Sequence, residues 1–167
     1  MWEILLSLPV LGLALMLQLA MVGRVNLLFG SADLPMLILI AWGLQERVRW
    51  AWVWGLLGGL LVGYVSGLAW YVPLLGYLGA VGLAQSLRRR IWQAPFLAMF
   101  LVTLTSTLWM HGLSFISLRL AGNPLLLGDS FDLITLPSVF LNLALGVLIY
   151  PLIRDLAAWL YPSEVEA

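Results

Sequence analysis

Residues 34–68, LPMLILIAWGLQERVRWAWVWGLLGGLLVGYVSGL, decide how the chain is read. They hold an apolar run of about eleven residues (34–44), a polar break, QERVRW, over 45–50, and a longer Gly-rich apolar run over 51–68. A helix needs roughly 20 apolar residues to cross a hydrocarbon core of about 30 Å, at about 1.5 Å per residue. The first run is about half a span and the second is close to a full one. Whether the short run crosses sets the orientation of everything that follows.

Working outward, the same texture covers the whole chain. Of its 167 residues 63% are apolar and 10% are charged, against about 45–50% and about 25% in an ordinary soluble domain. A water-soluble fold of this length has too little interior to hide so much apolar surface, so lipid is the expected solvent. The expected fold class is all-α integral membrane: one domain over 1–167, a bundle of about six helices near 4–22, 34–45, 51–68, 73–87, 94–118 and 134–153. Glu3 takes the place of a basic leader segment and no A-x-A site follows the first run, so that run is expected to be a retained helix. Residues 119–133, with the turn signal Gly122-Asn123-Pro124, form the longest expected loop, and residues 157–161 are expected to lie on the membrane surface.

The eight basic residues are all Arg. With about six crossings, Arg47, Arg49, Arg88, Arg89, Arg90 and Arg154 share a side with the N-terminus, and Arg24 and Arg119 lie opposite. Six against two follows the positive-inside rule with both termini cytoplasmic. Without a crossing by 34–45, Arg47 and Arg49 would face away from the Arg triplet, so the charge bias favours crossing. The triplet Arg88, Arg89 and Arg90 reads either as this topology signal or as a cytoplasmic basic cluster for anionic membrane lipids or an acidic partner.

Gly55, Gly59, Gly63 and Gly67 recur every four residues and leave a groove on one helix face, into which another backbone can approach closely. The groove serves either packing against the fourth helix, which carries Gly76, Ala80 and Ala84, or reception of a helix from another protein. Gln18, Thr107, His111 and Asn142 interrupt apolar runs and are expected to face the bundle as an interhelical polar network, because hydrocarbon offers them no partner.

Little points to chemistry. With no Cys and a single His, Cys metal sites and His clusters are excluded. The acids Glu3, Asp33, Glu46, Asp129, Asp132, Asp155, Glu164 and Glu166 lie at or outside the expected helix ends, which argues against ion-coupled transport. No phosphate-binding loop, zinc motif or nucleophile elbow occurs, and Ser and His in the fifth helix have no acid beside them. No enzymatic activity, cofactor or metal is expected, and a zero net charge does not suggest nucleic acid as a partner.

Three segments resemble the rod shape-determining protein MreD family: ADLPMLILIAW (32–42), an acid and a proline leading into a short second helix; WGLLGGLLVGYVSGLAWYVPLLGYLGAVGL (54–83), a Gly-rich third helix and its successor; and LPSVFLNLALGVLIYPLIRDL (136–156), with Pro137, Asn142, Tyr150 and Pro151 in the family's order. The chain departs from many members in having no Asp around Gly63. The resemblance implies a six-helix fold like that of the substrate-binding subunits of energy-coupling-factor transporters. It also implies a non-enzymatic scaffold in the cytoplasmic membrane of a rod-shaped bacterium, binding MreC and working with MreB filaments and the RodA–PBP2 peptidoglycan synthase. The fold analogy supplies an alternative, a vitamin-capturing transporter subunit. Such subunits often carry an A-x-x-x-A face on the first helix, whereas here Gln18 follows Ala14 at i+4 and Met16 precedes Ala20 at i−4. Reporter fusions at Asp33, Gln45 and Arg90 test the orientation; the arrangement requires Gln45 and Arg90 to read cytoplasmic, and an external reading at Gln45 refutes it.

Overall fold

In the computed structural model, residues 2–90 and 94–161 are described, with side chains from residue 5 onward. Glu164, Glu166 and the side chain of Glu3 lie outside them. The fold is all-helical apart from one short hairpin. Helix α1 (Trp2–Ala20) leads through a 3-10 turn (Val22–Arg24) into a two-residue-per-strand hairpin, β1 (Asn26–Leu27) with β2 (Gly30–Ser31). Helices α2 (Leu34–Gly43), α3 (Ala51–Val65), α4 (Tyr71–Arg88) and α5 (Pro95–Leu120) follow. A short α6 (Leu127–Ser130) runs through a π-helical turn (Phe131–Thr135) into α7 (Leu136–Leu160).

The short apolar run becomes the centre of the molecule. All ten residues of α2 are buried, and it packs against α1, α3, α4, α5 and α7. Its sequence explains both the helix and its place. Asp33 caps it, accepting a hydrogen bond from the Met36 amide, and Pro35 sits in the first turn where no amide partner is needed. Behind them LPMLILIAWG is apolar all round, which suits a helix with no outward face. Ten residues rise about 15 Å. The hairpin that precedes it folds against the start of α7. A Cβ on Gly30 would stand 2.6 Å from the Ser138 amide nitrogen and 2.7 Å from the Ile134 carbonyl oxygen, so only glycine permits that approach.

The glycine stripe of α3 is occupied from within the chain. A Cβ on Gly59 would lie 2.6 Å from the Leu74 Cα, one on Gly63 2.9 Å from the Trp70 carbonyl oxygen, and one on Gly55 3.1 Å from Val81. At these three positions the close approach is therefore made by α4 and the turn preceding it. Gly67, by contrast, faces open space. Around α2, small residues let its neighbours close in: Gly43 meets Ala84, Gly58 meets Leu39 and Gly146 meets Leu37. Trp42 stacks on Trp54 with ring centroids 4.3 Å apart, pinning α2 to α3. In lipid, moving an apolar side chain from tails to protein gains little transfer energy, so dense dispersion contact and hydrogen bonds hold such a bundle together.

Two expectations are corrected. Residues 157–161 do not form a separate surface segment: α7 continues to Leu160 and Ala157 is buried in the core. Arg154 and Asp155, which look like a helix end, pair with each other on the exposed side at 3.0 Å and let the helix run on. The long loop is also shorter than expected, because α5 extends to Leu120 and helix resumes at Leu127.

The α3–α4 contact yields a direct test. Gly59→Leu should lower the thermal midpoint in detergent strongly, since overpacking alone costs about 1–3 kcal/mol and here backbone must move, while Gly67→Leu should leave it within a few degrees.

Candidate functional site

Asp33 stands where the non-helical lead-in to α2 enters the bundle, and the polar residues of the interior gather around it. Its amide donates to Asn142 Oδ1 of α7 at 2.7 Å. Asn142 Nδ2 in turn donates to Thr107 Oγ1 at 3.0 Å, and Thr107 Oγ1 donates to the Thr103 carbonyl within α5. On the other side Gln18 of α1 works as a clamp: its Nε2 donates to the Ala32 carbonyl at 2.8 Å and its Oε1 accepts from the Leu34 amide at 2.9 Å. The Ser31 amide donates to Ser138 Oγ at 3.1 Å, and the Phe29 amide to the Leu133 carbonyl. Consecutive backbone groups that no helix satisfies are thus bonded by side chains from α1 and α7.

The Asp33 carboxylate has its own partner. Tyr77 of α4, itself buried, presents its hydroxyl to both oxygens, 2.8 Å from Oδ1 and 3.0 Å from Oδ2. Asp33 does lie at a helix end, as expected of the acids, but that helix end is inside the bundle.

Of the four residues expected to form one network, the structure brings Asn142 and Thr107 into direct contact and joins Gln18 to them through the backbone of residues 32–34. His111 stands apart from them, its Nδ1 lying 3.2 Å from Thr135 Oγ1 at the start of α7. Asp33, Tyr77, Ser138 and Thr135 belong to the same region, and of these Asp33 alone carries a signal in the sequence, as the acid that leads into α2. Asp33 was open to recognition, since an acid two residues before a proline at an apolar run is a helix-start signal. Nothing in the apolar run around Tyr77 marks its partner.

Beside this framework lies a cavity of about 640 Å³. Asp33, Tyr77, Gln18, His111, Thr135 and Ser138 contribute its polar edge, while Leu15, Val62, Leu108, Phe115 and Ile134 are among its apolar walls. No Arg lines it.

The arginines named as a cluster gather at the other end of α2. Arg88 Nη1 donates to the carbonyls of Gln45 and Val48 at 2.6 and 3.0 Å, capping the turn after α2, while Arg89 and Arg90 are exposed. Arg47 reaches the Tyr161 carbonyl. Among the described residues no group of His, Asp and Glu is arranged to hold a metal ion.

The fold defines the class of an all-helical protein with helices suited by length and composition to a bilayer. Three helices, Leu5–Arg24, Pro95–Leu120 and Leu127–Leu160, are long and apolar enough to cross a bilayer, and α2 and α3 are apolar but shorter. No protein-family model, curated protein or solved structure matches the chain.

The framework predicts unequal costs. Asn142→Leu strands the Asp33 amide and should destabilise the protein by about 1–3 kcal/mol, the penalty of an unpaired buried group. Thr105→Val removes only a bond to Leu101 within the same helix and should cost about 0.5 kcal/mol or less. Unfolding followed in mixed micelles by tryptophan fluorescence would read both; equal costs would mean that Asn142 is not a tether.

Proposed function

We propose that this chain is a non-enzymatic membrane scaffold of the bacterial cell-elongation complex, of the MreD type. In that role it binds MreC and helps couple MreB filaments inside the cell to the RodA–PBP2 peptidoglycan synthase. One observation carries the reading. The three segments that bear the resemblance converge on α2 instead of lying scattered. Asp33 of the first meets Tyr77 of the second and Asn142 of the third, and Gly43 and Gly146 let α4 and α7 close on the same helix. Residues shared with a family for the sake of its fold are expected at such a junction. The reading carries with it six crossings, a fold like that of the energy-coupling-factor substrate-binding subunits, and a place in the cytoplasmic membrane with both termini inside.

Helix ends agree with that orientation. The Arg88–Gln45–Val48 and Arg47–Tyr161 bonds gather the ends of α2, α4 and α7 on the arginine-rich side. The hairpin, Leu133 and Ser138 gather on the other. Since α4 fills the glycine groove at Gly55, Gly59 and Gly63, a partner helix would dock on an outward face; on α1 a Cβ at Gly12 meets nothing, and Leu5, Leu8, Leu13 and Met16 are exposed.

The cavity favours a second reading, a small-molecule-binding subunit, since about 640 Å³ lies in the usual range for ligand sites. Co-expression separates the two. The scaffold reading expects MreC to co-purify stoichiometrically from membranes and Gly12→Leu to reduce its recovery severalfold without changing the melting midpoint. Folded protein that emerges free of MreC would overturn it.

A further inference from the structure

The charge balance of the cavity is one-sided. Asp33 brings a carboxylate to its edge, and no Arg stands among the lining residues. Among the described residues Asp33 forms no ion pair; the pair present, Arg154–Asp155, is on the surface. His111 is the other titratable side chain on the polar edge besides Tyr77, and its Nδ1 is engaged with Thr135. Arg24 and Arg119 do not line the cavity, and Arg119 is spent on the Leu125 carbonyl.

The carboxylate is also incompletely used. An ionised carboxylate offers about four acceptor positions. Oδ1 takes the Met36 amide and the Tyr77 hydroxyl, whereas Oδ2 has only a share of that same hydroxyl proton. Oδ2 thus keeps an acceptor position to spare, on a residue that lines a mostly apolar cavity where an unpaired charge is costly.

We propose that this cavity binds a small amphiphile carrying a primary ammonium group on an apolar body. The ammonium would donate to Asp33 Oδ2, and the body would lie along Leu15, Val62, Leu108 and Phe115. An anionic head group would meet the carboxylate with no cation to offset it. A neutral alcohol would make one hydrogen bond without the charge attraction. Charge-assisted hydrogen bonds are roughly twice as strong as neutral ones, so the preference should follow charge at constant shape. The inference rests on the cavity alone and is independent of whether the chain is a scaffold.

The test uses the purified full chain in phosphatidylcholine nanodiscs with three probes of one shape: 4-phenylbutylamine, 4-phenylbutanol and 4-phenylbutyrate, titrated calorimetrically against empty discs. The amine is expected to bind about tenfold or more tightly than the alcohol, and the acid least. Asp33→Asn keeps an N-cap acceptor and an oxygen for Tyr77, and should bring the amine to the level of the alcohol. Leu108→Trp, which fills the cavity without touching the cap, should abolish binding of both. Repeating the titration in discs containing phosphatidylethanolamine locates the source. Weakened amine binding assigns the site to a lipid head group and unchanged binding to a free solute, and each supports the site. The proposal is overturned if the alcohol binds as tightly as the amine, or if Asp33→Asn binds the amine as well as the unaltered chain. Neither result would bear on MreC.

Discussion

A stretch of backbone without its own helix, held inside an apolar bundle, must find every hydrogen bond elsewhere. That constraint governs this molecule. The hairpin of residues 26–31 pairs its own strands and keeps 26–29 exposed, but its end and the lead-in to residue 33 turn into the bundle, where hydrocarbon has nothing to give the amides and carbonyls left over. The chain supplies the partners from outside the segment: Gln18 from α1, and Asn142, Ser138 and the Leu133 carbonyl from the α7 side. Because each tether links elements distant in sequence, satisfying the lead-in also fixes α1 and α7 relative to α2. The same device serves the other end of α2, where Arg88 takes up the carbonyls of Gln45 and Val48.

Once α2 is anchored at both ends, packing around it follows from side-chain size. Glycines lie where neighbours come closest, and large side chains lie where a gap must be filled, as with Trp42 against Trp54. The glycine stripe on α3 belongs to this economy. Its repeat of four makes one flat face, and the chain turns that face inward onto α4, its sequence neighbour across a short turn. A stripe of small residues says that some backbone comes near; it carries no information about whose backbone that is. Here the nearest candidate along the chain takes the place.

How far the sequence revealed this depends on the kind of signal. Apolar run lengths located the helices, because solvent exclusion acts residue by residue. Polar residues inside those runs, Gln18, Thr107 and Asn142, stood out for the same reason, each having to find a partner in the bundle. His111 belonged to that pattern by spacing, yet its rotation on α5 and the π-helical turn at 131–135 give it Thr135 instead. Tyr77 was invisible: its hydroxyl finds Asp33 only after α4 packs on α2, a tertiary event with no local trace. The end of α7 is hidden in the sequence because Arg154 and Asp155 resemble a terminus; adjacent opposite charges can neutralise each other on one exposed face while Ile153 and Ala157 stay in the core.

The placement of Asp33 shows why one residue can serve fold and ligand together. As a cap it needs only one oxygen, and as a partner of Tyr77 it shares a single proton between two. Neither duty brings an opposite charge to it among the described residues. A buried polar group is tolerated when its geometry is satisfied, whereas a buried charge also asks for an opposite charge. The fold meets the first demand from its own side chains and leaves the second to whatever enters the cavity. Stability and occupancy are then coupled, because a cation that settles the charge binds only the folded arrangement and draws the population toward it.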